Sequence, residues 1–382
     1  MSRKFSVACA VGALVVVACQ KDAPTVDATA ERQEANGLYL AATDAYFKGE
    51  FKKAIGLFAQ VRAKFPGDPR LPGAEAEALL ADGRIDDALA RFEEALKLDP
   101  NRSTTHSRLG FIYLVKGKTA DARKELELAL KLNPNDSLSW QTLAEIDQKQ
   151  GRRDEAVEHL RKAMGLAQRG EKSAIALDAA KLLRGDSKVD AAVEILAEAI
   201  DGGAGTVEVY TELGEALVSM HRLTDARDAY VGAAKLTKED PSLWELAAEI
   251  DLKLKNYPAA ESEFREANQA RPSATAWAGL ARVAMARKDA AGAKEALDKA
   301  LASATGEDLR ESLELADVLE KVGRVQDASK LLQTVAAEED NAGEMGIQLR
   351  AARLAKLAND AAAVAAACGR ARNIDAGVKK CP

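Results

Sequence analysis

Residues 86–100 read DDALARFEEALKLDP and residues 120–134 read ADARKELELALKLNP, one phrase written twice at an interval of 34 residues. Asp87-Ala88 aligns with Asp121-Ala122, the ALKL of 95–98 with that of 129–132, and Pro100 with Pro134. The alanine of this recurring element also falls at Ala54 and Ala156, and continues at Ala192, Ala226, Ala260, Ala293 and Ala328. Around these marker alanines other positions recur in phase. A glycine stands five residues earlier at Gly49, Gly83, Gly117, Gly151 and Gly323. An aromatic residue or leucine stands four later at Phe58, Phe92, Leu126, Leu160, Leu196, Tyr230, Phe264, Leu297 and Leu332. A proline stands twelve later at Pro66, Pro100, Pro134 and Pro272.

Residues 103–136 show what one unit does. Leu109, Gly110 and Tyr113 share a face of a first helix, and Gly117 ends it by accepting a left-handed backbone. Ala122, Leu126, Ala129 and Leu130 share a face of a second helix. Gly110 and Ala122 are small where the two helices cross, and Pro134 blocks continuation. One hairpin cannot bury both faces, so neighbours stack into a continuous core.

The period and its in-phase positions resemble the tetratricopeptide repeat, over residues 35–375, in nine clear units and a weaker tenth. The resemblance implies an all-α solenoid of stacked antiparallel helix hairpins forming a right-handed superhelix. Trp140, Trp244 and Trp277 all fall at the fourth position of their units and read as packing residues between hairpins. DGGAGT, residues 201–206, reads as a flexible junction between units five and six.

Composition agrees with helices. Of 382 residues 47% are hydrophobic but only 4% aromatic, so alanine supplies much of the apolar surface. The net charge is −6 and both signs are dispersed, which leaves no basic footprint for nucleic acid. The three histidines lie in separate units and form no metal-ligand spacing. Gly165 to Ser173 has one residue too many for a phosphate loop, with no strand before it, and reads as an inter-repeat loop. No Gly-x-Ser-x-Gly occurs. The expectation is a non-enzymatic protein without cofactor or metal.

The first residues differ from the rest. Arg3 and Lys4 precede a short apolar run, Val7 to Ala18, as in an export signal. Val16-Val17-Ala18-Cys19 resembles a bacterial lipobox, which would make Cys19 the lipidated first residue of the mature chain. An ordinary signal cleaved after Ala18 is the other reading. Gln20 follows, not the aspartate of inner-membrane retention, so an outer-membrane lipoprotein facing the periplasm is expected. Residues 1–18 are then the signal peptide, 19–34 the lipidated cysteine and a polar tether, 35–375 the array and 376–382 a tail. At that end, Cys368 and Cys381 can either form a disulfide that pins the tail over the array, or remain apart with Cys368 in the core.

In the family resembled, first helices line a protein-binding groove. Carried onto this sequence, the groove candidates are Glu145, Glu212, Glu215, Glu245, Glu249, Glu314 and Asp317, interrupted by Lys181 and Arg282. A merely soluble face is the plain alternative. A carboxylate run implies protein or peptide partners with basic segments, alongside a membrane reached through the lipid. The function implied is an envelope scaffold that helps assemble a complex such as a pilus, secretion pore or outer-membrane machine. The alternative is an accessory that positions or activates a cell-wall or polysaccharide enzyme.

Overall fold

The structure, a computed structural model, describes residues 30–237, 240–304, 308–338, 341, 343–375 and 381. The export-signal stretch, Cys19 and most of the 376–382 tail lie outside them. Among the described residues there are twenty α-helices and no strand. In chain order they form ten helix–turn–helix segments: α1 Ala30–Phe47 with α2 Phe51–Lys64, α3 Arg70–Ala81 with α4 Ile85–Leu98, and α5 Ser103–Val115 with α6 Thr119–Leu132. Next come α7 Ser137–Lys149 with α8 Arg153–Leu166, α9 Arg169–Gly185 leading into α10 Val189–Ala199, and α11 Val207–Ser219 with α12 Leu223–Ala234. The last four are α13 Ser242–Lys253 with α14 Tyr257–Ala270, α15 Ala274–Ala286 with α16 Ala290–Ser303, α17 Leu309–Lys321 with α18 Val325–Ala337, and α19 Met345–Leu357 with α20 Ala361–Ile374. Two compact units divide the chain, Met1–Leu182 and Leu183–Pro382.

The turn inside every segment has one geometry. The residue five before the marker is left-handed, with φ between 58° and 82° in all ten. The amide that follows it donates to a carbonyl five residues back, as in Lys118 N–H to Tyr113 O at 2.8 Å and Arg324 N–H to Leu319 O at 2.8 Å. That bond satisfies an orphaned carbonyl of the first helix and reverses the chain. Five turns place the expected glycine there. The other five place Ser187, His221, Lys255, Lys288 and Asn359 in the same conformation. The tenth segment, weak in sequence, is identified by this: Asn359 is left-handed and Val364, five later, takes the marker's place.

Small residues set how closely paired helices approach. A Cβ on Gly110 would lie 2.5 Å from Leu126 Cγ, so nothing larger fits while that leucine stays in place. Twelve residues before their markers, Ala42, Ala76, Ala248, Ala281 and Ala316 are likewise fully buried. The residues four after the marker, Phe92, Leu126, Phe264 and Leu332 among them, fill the core. Each prolyl stop works as expected: α2, α4, α6 and α14 end two residues before Pro66, Pro100, Pro134 and Pro272.

Two stretches depart from the sequence reading. Helix α1 reaches back to Ala30, inside the expected tether, because Ala-Glu-Arg-Gln-Glu-Ala are good helix formers. Residues Ile200–Ala204, which overlap the stretch read as a junction, are wound into a wide helical turn around a left-handed Gly203. Thr206 then caps α11 by accepting from Val209 N–H.

At the C-terminal end, Cys368 and Cys381 are joined in a disulfide, their Cα atoms 5.8 Å apart. Cys368 is also buried, at 5% exposure, so the two readings of this residue are not exclusive. It stands four after Val364, where the other segments carry Phe, Leu or Tyr, and Cys381 packs against the same core cluster. The bridged sulfurs take the place of the missing large side chain.

Two measurements test these features. Lys255→Gly and Lys288→Gly should each raise stability by about 0.5–1 kcal/mol in urea unfolding, because relief of left-handed strain exceeds glycine's unfolded-state entropy. Asn359→Gly should gain less, since asparagine tolerates that region. Reducing the disulfide, which closes a separation of 13 residues, should destabilise the last segment by up to about 3 kcal/mol. Hydrogen exchange in α20 should rise on reduction while exchange in α11 stays unchanged.

Candidate functional site

The seven carboxylates named from the sequence stand on first helices, α7, α11, α13 and α17. Glu145, Glu215, Glu249 and Asp317 occupy the same register, eleven residues before their markers. Glu145, Glu215 and Asp317 are exposed, Glu212, Glu249 and Glu314 half-buried. Glu245 is drawn inward, and burial pushes its carboxyl up against the downward pull of the Ser273 hydroxyl, which donates at 2.6 Å.

None of the seven is free. Arg184 bonds Glu212 and lies 3.3 Å from Glu215. Arg282 Nη1 donates to Glu249 at 3.0 Å. Arg350 pairs with Asp317. Arg310 reaches Glu314 at 3.1 Å, and Lys149 reaches Glu145 at 2.8 Å. The expected acidic surface is therefore a ladder of ion pairs, several of which tie one first helix to the next. Most partners are 28 to 33 residues away, so no local pattern announces them. Lys181 is exposed and, like Glu145, belongs to the first compact unit, whereas the other six carboxylates belong to the second.

In the first unit the same face is built differently. Arg108 Nε donates to Glu77 at 2.6 Å, tying α5 to α3. Burial, and then the Glu77 charge, push the Tyr46 hydroxyl up to about 12 although Arg108 pulls it back. Leu40 and Phe47 on α1 and Val115 on α5 are exposed, and the Phe47 ring lies 5.7 Å from that of Tyr46.

Two buried cages hold neighbouring segments together, and the sequence reading missed both. Asp147 on α7 is 1% exposed and accepts from Arg123 on α6, from Arg152 at 2.6 Å and from His159 Nδ1 at 2.8 Å. Burial pushes its carboxyl up, but the hydrogen bonds from Arg152 and Arg123 outweigh that and hold it below the usual carboxylate range. Asp251 on α13 repeats the position: Arg227 on α12 reaches it at 3.0 Å and Asn256 at 3.1 Å. In that second cage Asn256 stands where Arg152 does in the first, and Glu263 where His159 does. An arginine and a histidine have become an amide and a carboxyl. Glu263 is 3% exposed, 2.7 Å from Arg227, and burial pushes its carboxyl up to about 7, Arg227 opposing and Asp251 adding to the rise. The shared register of Arg123 with Arg227 and of Asp147 with Asp251 was the signal in the sequence.

The tryptophans pack. Trp140 Nε1 donates to the Pro134 carbonyl at 3.0 Å, and at the same unit position His106 Nε2 lies 2.9 Å from the Pro100 carbonyl. Lys162 and Lys299 lie over Trp140 and Trp277 at 4.5 and 4.7 Å from the ring centres. Among the described residues no group of His, Cys, Asp and Glu could hold a metal ion, and no helix is long and apolar enough to cross a membrane.

Three stretches, residues 79–146, 138–169 and 211–274, match the tetratricopeptide repeat family. With the ten like turns and small-residue crossings, they decide the family. The chain is a tetratricopeptide repeat protein. Such repeats generally bind other proteins or peptides. The chain is 31% identical over 87 residues to the TPR repeat-containing thioredoxin TTL4 of Arabidopsis thaliana, a match covering 23% of this chain and 13% of that protein. Among solved structures it is similar to Pseudomonas aeruginosa pilF, at 20% identity and a TM-score of 0.32, over 57% of this chain and 97% of that one. It is also similar to a tetratricopeptide repeat protein of Parabacteroides merdae, at 16% identity and a TM-score of 0.40, over 70% and 99%.

The Glu263 cage makes the tetratricopeptide array pH-sensitive. Its carboxyl is raised from 4.5 to about 7 on folding, so its contribution is whole below the unfolded value and is lost as pH rises through the folded one. Stability of the α12–α14 region should fall by up to about 3 kcal/mol across that window. Glu263→Gln should flatten the slope, read by hydrogen exchange of α13 and α14 at pH 5 and pH 8. An unchanged slope in the variant would contradict the assignment.

Proposed function

We propose that this tetratricopeptide repeat protein is an adaptor of a bacterial cell envelope. In this reading it is held to the outer membrane by a lipid on Cys19, faces the periplasm, and captures segments of other proteins to help assemble an envelope complex such as a pilus, secretion pore or outer-membrane machine. The observation that carries the binding part is the ladder of charged pairs on the first helices, from Arg184 with Glu212 to Asp317 with Arg350. The anchoring part rests on residues 3–19 of the sequence and is supported by the Cys368–Cys381 disulfide, since such bonds persist in oxidising compartments.

The ladder also shapes the partner. A purely basic segment must displace an arginine for each carboxylate it gains, so the exchange brings little. A segment carrying both signs can trade partners along the ladder with no charge left unpaired. Partners of mixed charge therefore fit this face better than basic ones.

A photo-crosslinking residue placed at Glu215 or Asp317 in native membranes should give discrete protein adducts. The same residue at Glu93 or Glu127, exposed on second helices, should give few. Cys19→Ser should release the protein from membranes and abolish fatty-acid labelling. Adducts from Glu93 and Glu127 alone would move the binding face, and a Cys19→Ser variant still pelleting with membranes would move the anchor.

A further inference from the structure

Three residues before the marker, most segments carry a large apolar side chain that covers the gap towards the next segment. Phe51, Ile85, Val189, Leu223, Tyr257 and Val325 stand there. Ile85, Val189, Leu223, Tyr257 and Val325 pack on the core clusters of their own regions. The third and fourth segments carry Thr119 and Arg153 there, and the eighth and tenth carry Ala290 and Ala361. At Ala290 a cleft of about 590 Å³ opens between α15, α16 and the turn that joins α17 to α18. Its apolar lining includes Met285, Ala290, Leu297 and Val322. Lys288 and Lys294 stand on its rim, both exposed. Among the described residues neither ammonium takes part in an ion pair, whereas Arg324 on the far side is held by Asp298 and Asp327 at 2.6 Å each.

We infer that this cleft is a second protein-binding site, on the turn and second-helix side of the array, for a segment that carries a large apolar side chain flanked by carboxylates. The apolar side chain takes the room that Ala290 leaves, covering Met285, Leu297 and Val322 as Tyr257 and Val325 cover their own neighbours. The carboxylates pair with Lys288 and Lys294, which take part in no ion pair among the described residues. A volume of this size accommodates one bulky side chain with its backbone and is within the range of ligand pockets. The occupant is acidic, the opposite of what the carboxylates on the first helices suggest by themselves. The site stands or falls independently of the first-helix face.

The test uses the soluble chain from residue 20 and isothermal titration with an acetylated, amidated hexapeptide in which Phe-Leu is flanked on each side by Asp-Glu. The peptide should bind, and binding should weaken as salt rises, because both rim cations are solvated. Ala290→Leu should fill the cleft and reduce affinity at least about tenfold while helicity and melting temperature hold or rise. Lys288→Gly should be the more stable protein and the weaker binder, which separates lost charge from lost fold, and Lys294→Gln should weaken binding without changing stability. A peptide with Asn-Gln in place of Asp-Glu should bind at least about tenfold less tightly. Equal binding of wild type and Ala290→Leu would overturn the site. Saturation by octanoate with no response to the peptide would overturn it in favour of an amphiphile pocket. Self-association that Ala290→Leu abolishes would overturn it in favour of a second copy of the chain.

Discussion

Everything else in this molecule depends on a six-residue reversal made ten times. A left-handed residue ends each first helix, and the next amide donates back to a carbonyl five residues earlier. The bond satisfies a helix end that would otherwise be buried without a partner, and it turns the second helix back along the first. Once the chain has turned, the distance between the helices is a matter of side-chain size. Gly110 and the alanines in its register are small enough for the following leucine or aromatic residue to press against the backbone. Five turns manage without glycine, so the geometry is enforced by the packing of the pair and strain is accepted at the turn.

Contacts between segments are less uniform, and function can enter there. The Asp147 and Asp251 cages share a register and an arginine donor from the preceding second helix. They differ because His159 is answered by Glu263 and Arg152 by Asn256. In one cage cations surround a carboxylate and favour its charged form. In the other two carboxylates share one arginine, and the desolvated Glu263 holds its proton to about neutral pH. The same backbone position is thus an acid-stable lock in one segment and a titrating one in another.

The first-helix face follows a similar logic of compensation. Carboxylates that look unopposed along the chain are met by arginines from the adjoining segment, Arg282 at Glu249 and Arg350 at Asp317. What such a face offers a partner is exchange of ion pairs, which favours specificity and steering over bulk attraction. At the eighth segment the compensation is missing on both counts. Ala290 omits a covering side chain, and Lys288 and Lys294 have no counter-charge among the described residues.

The helices, their pairing in the clear units, the glycine turns, the prolyl stops and the family were all legible in the chain, because each rests on interactions within about 34 residues that recur in phase. The left-handed Ser187, Lys255 and Lys288 were hidden because their side chains do not declare the conformation, and His221 and Asn359 declare it only weakly. Counting along the register shows that Asp147 and Asp251 are equivalent. Tertiary structure alone decides that they are buried, since neither residue type is ordinarily found inside. It likewise decides which arginine meets which carboxylate, because a long side chain can reach several partners and only the stacking of particular segments selects one. Cys368 is the clearest case: the sequence left open both a free core thiol and a bridged one, and the packed end of the array places Cys381 against it in the slot that a phenylalanine or leucine fills elsewhere.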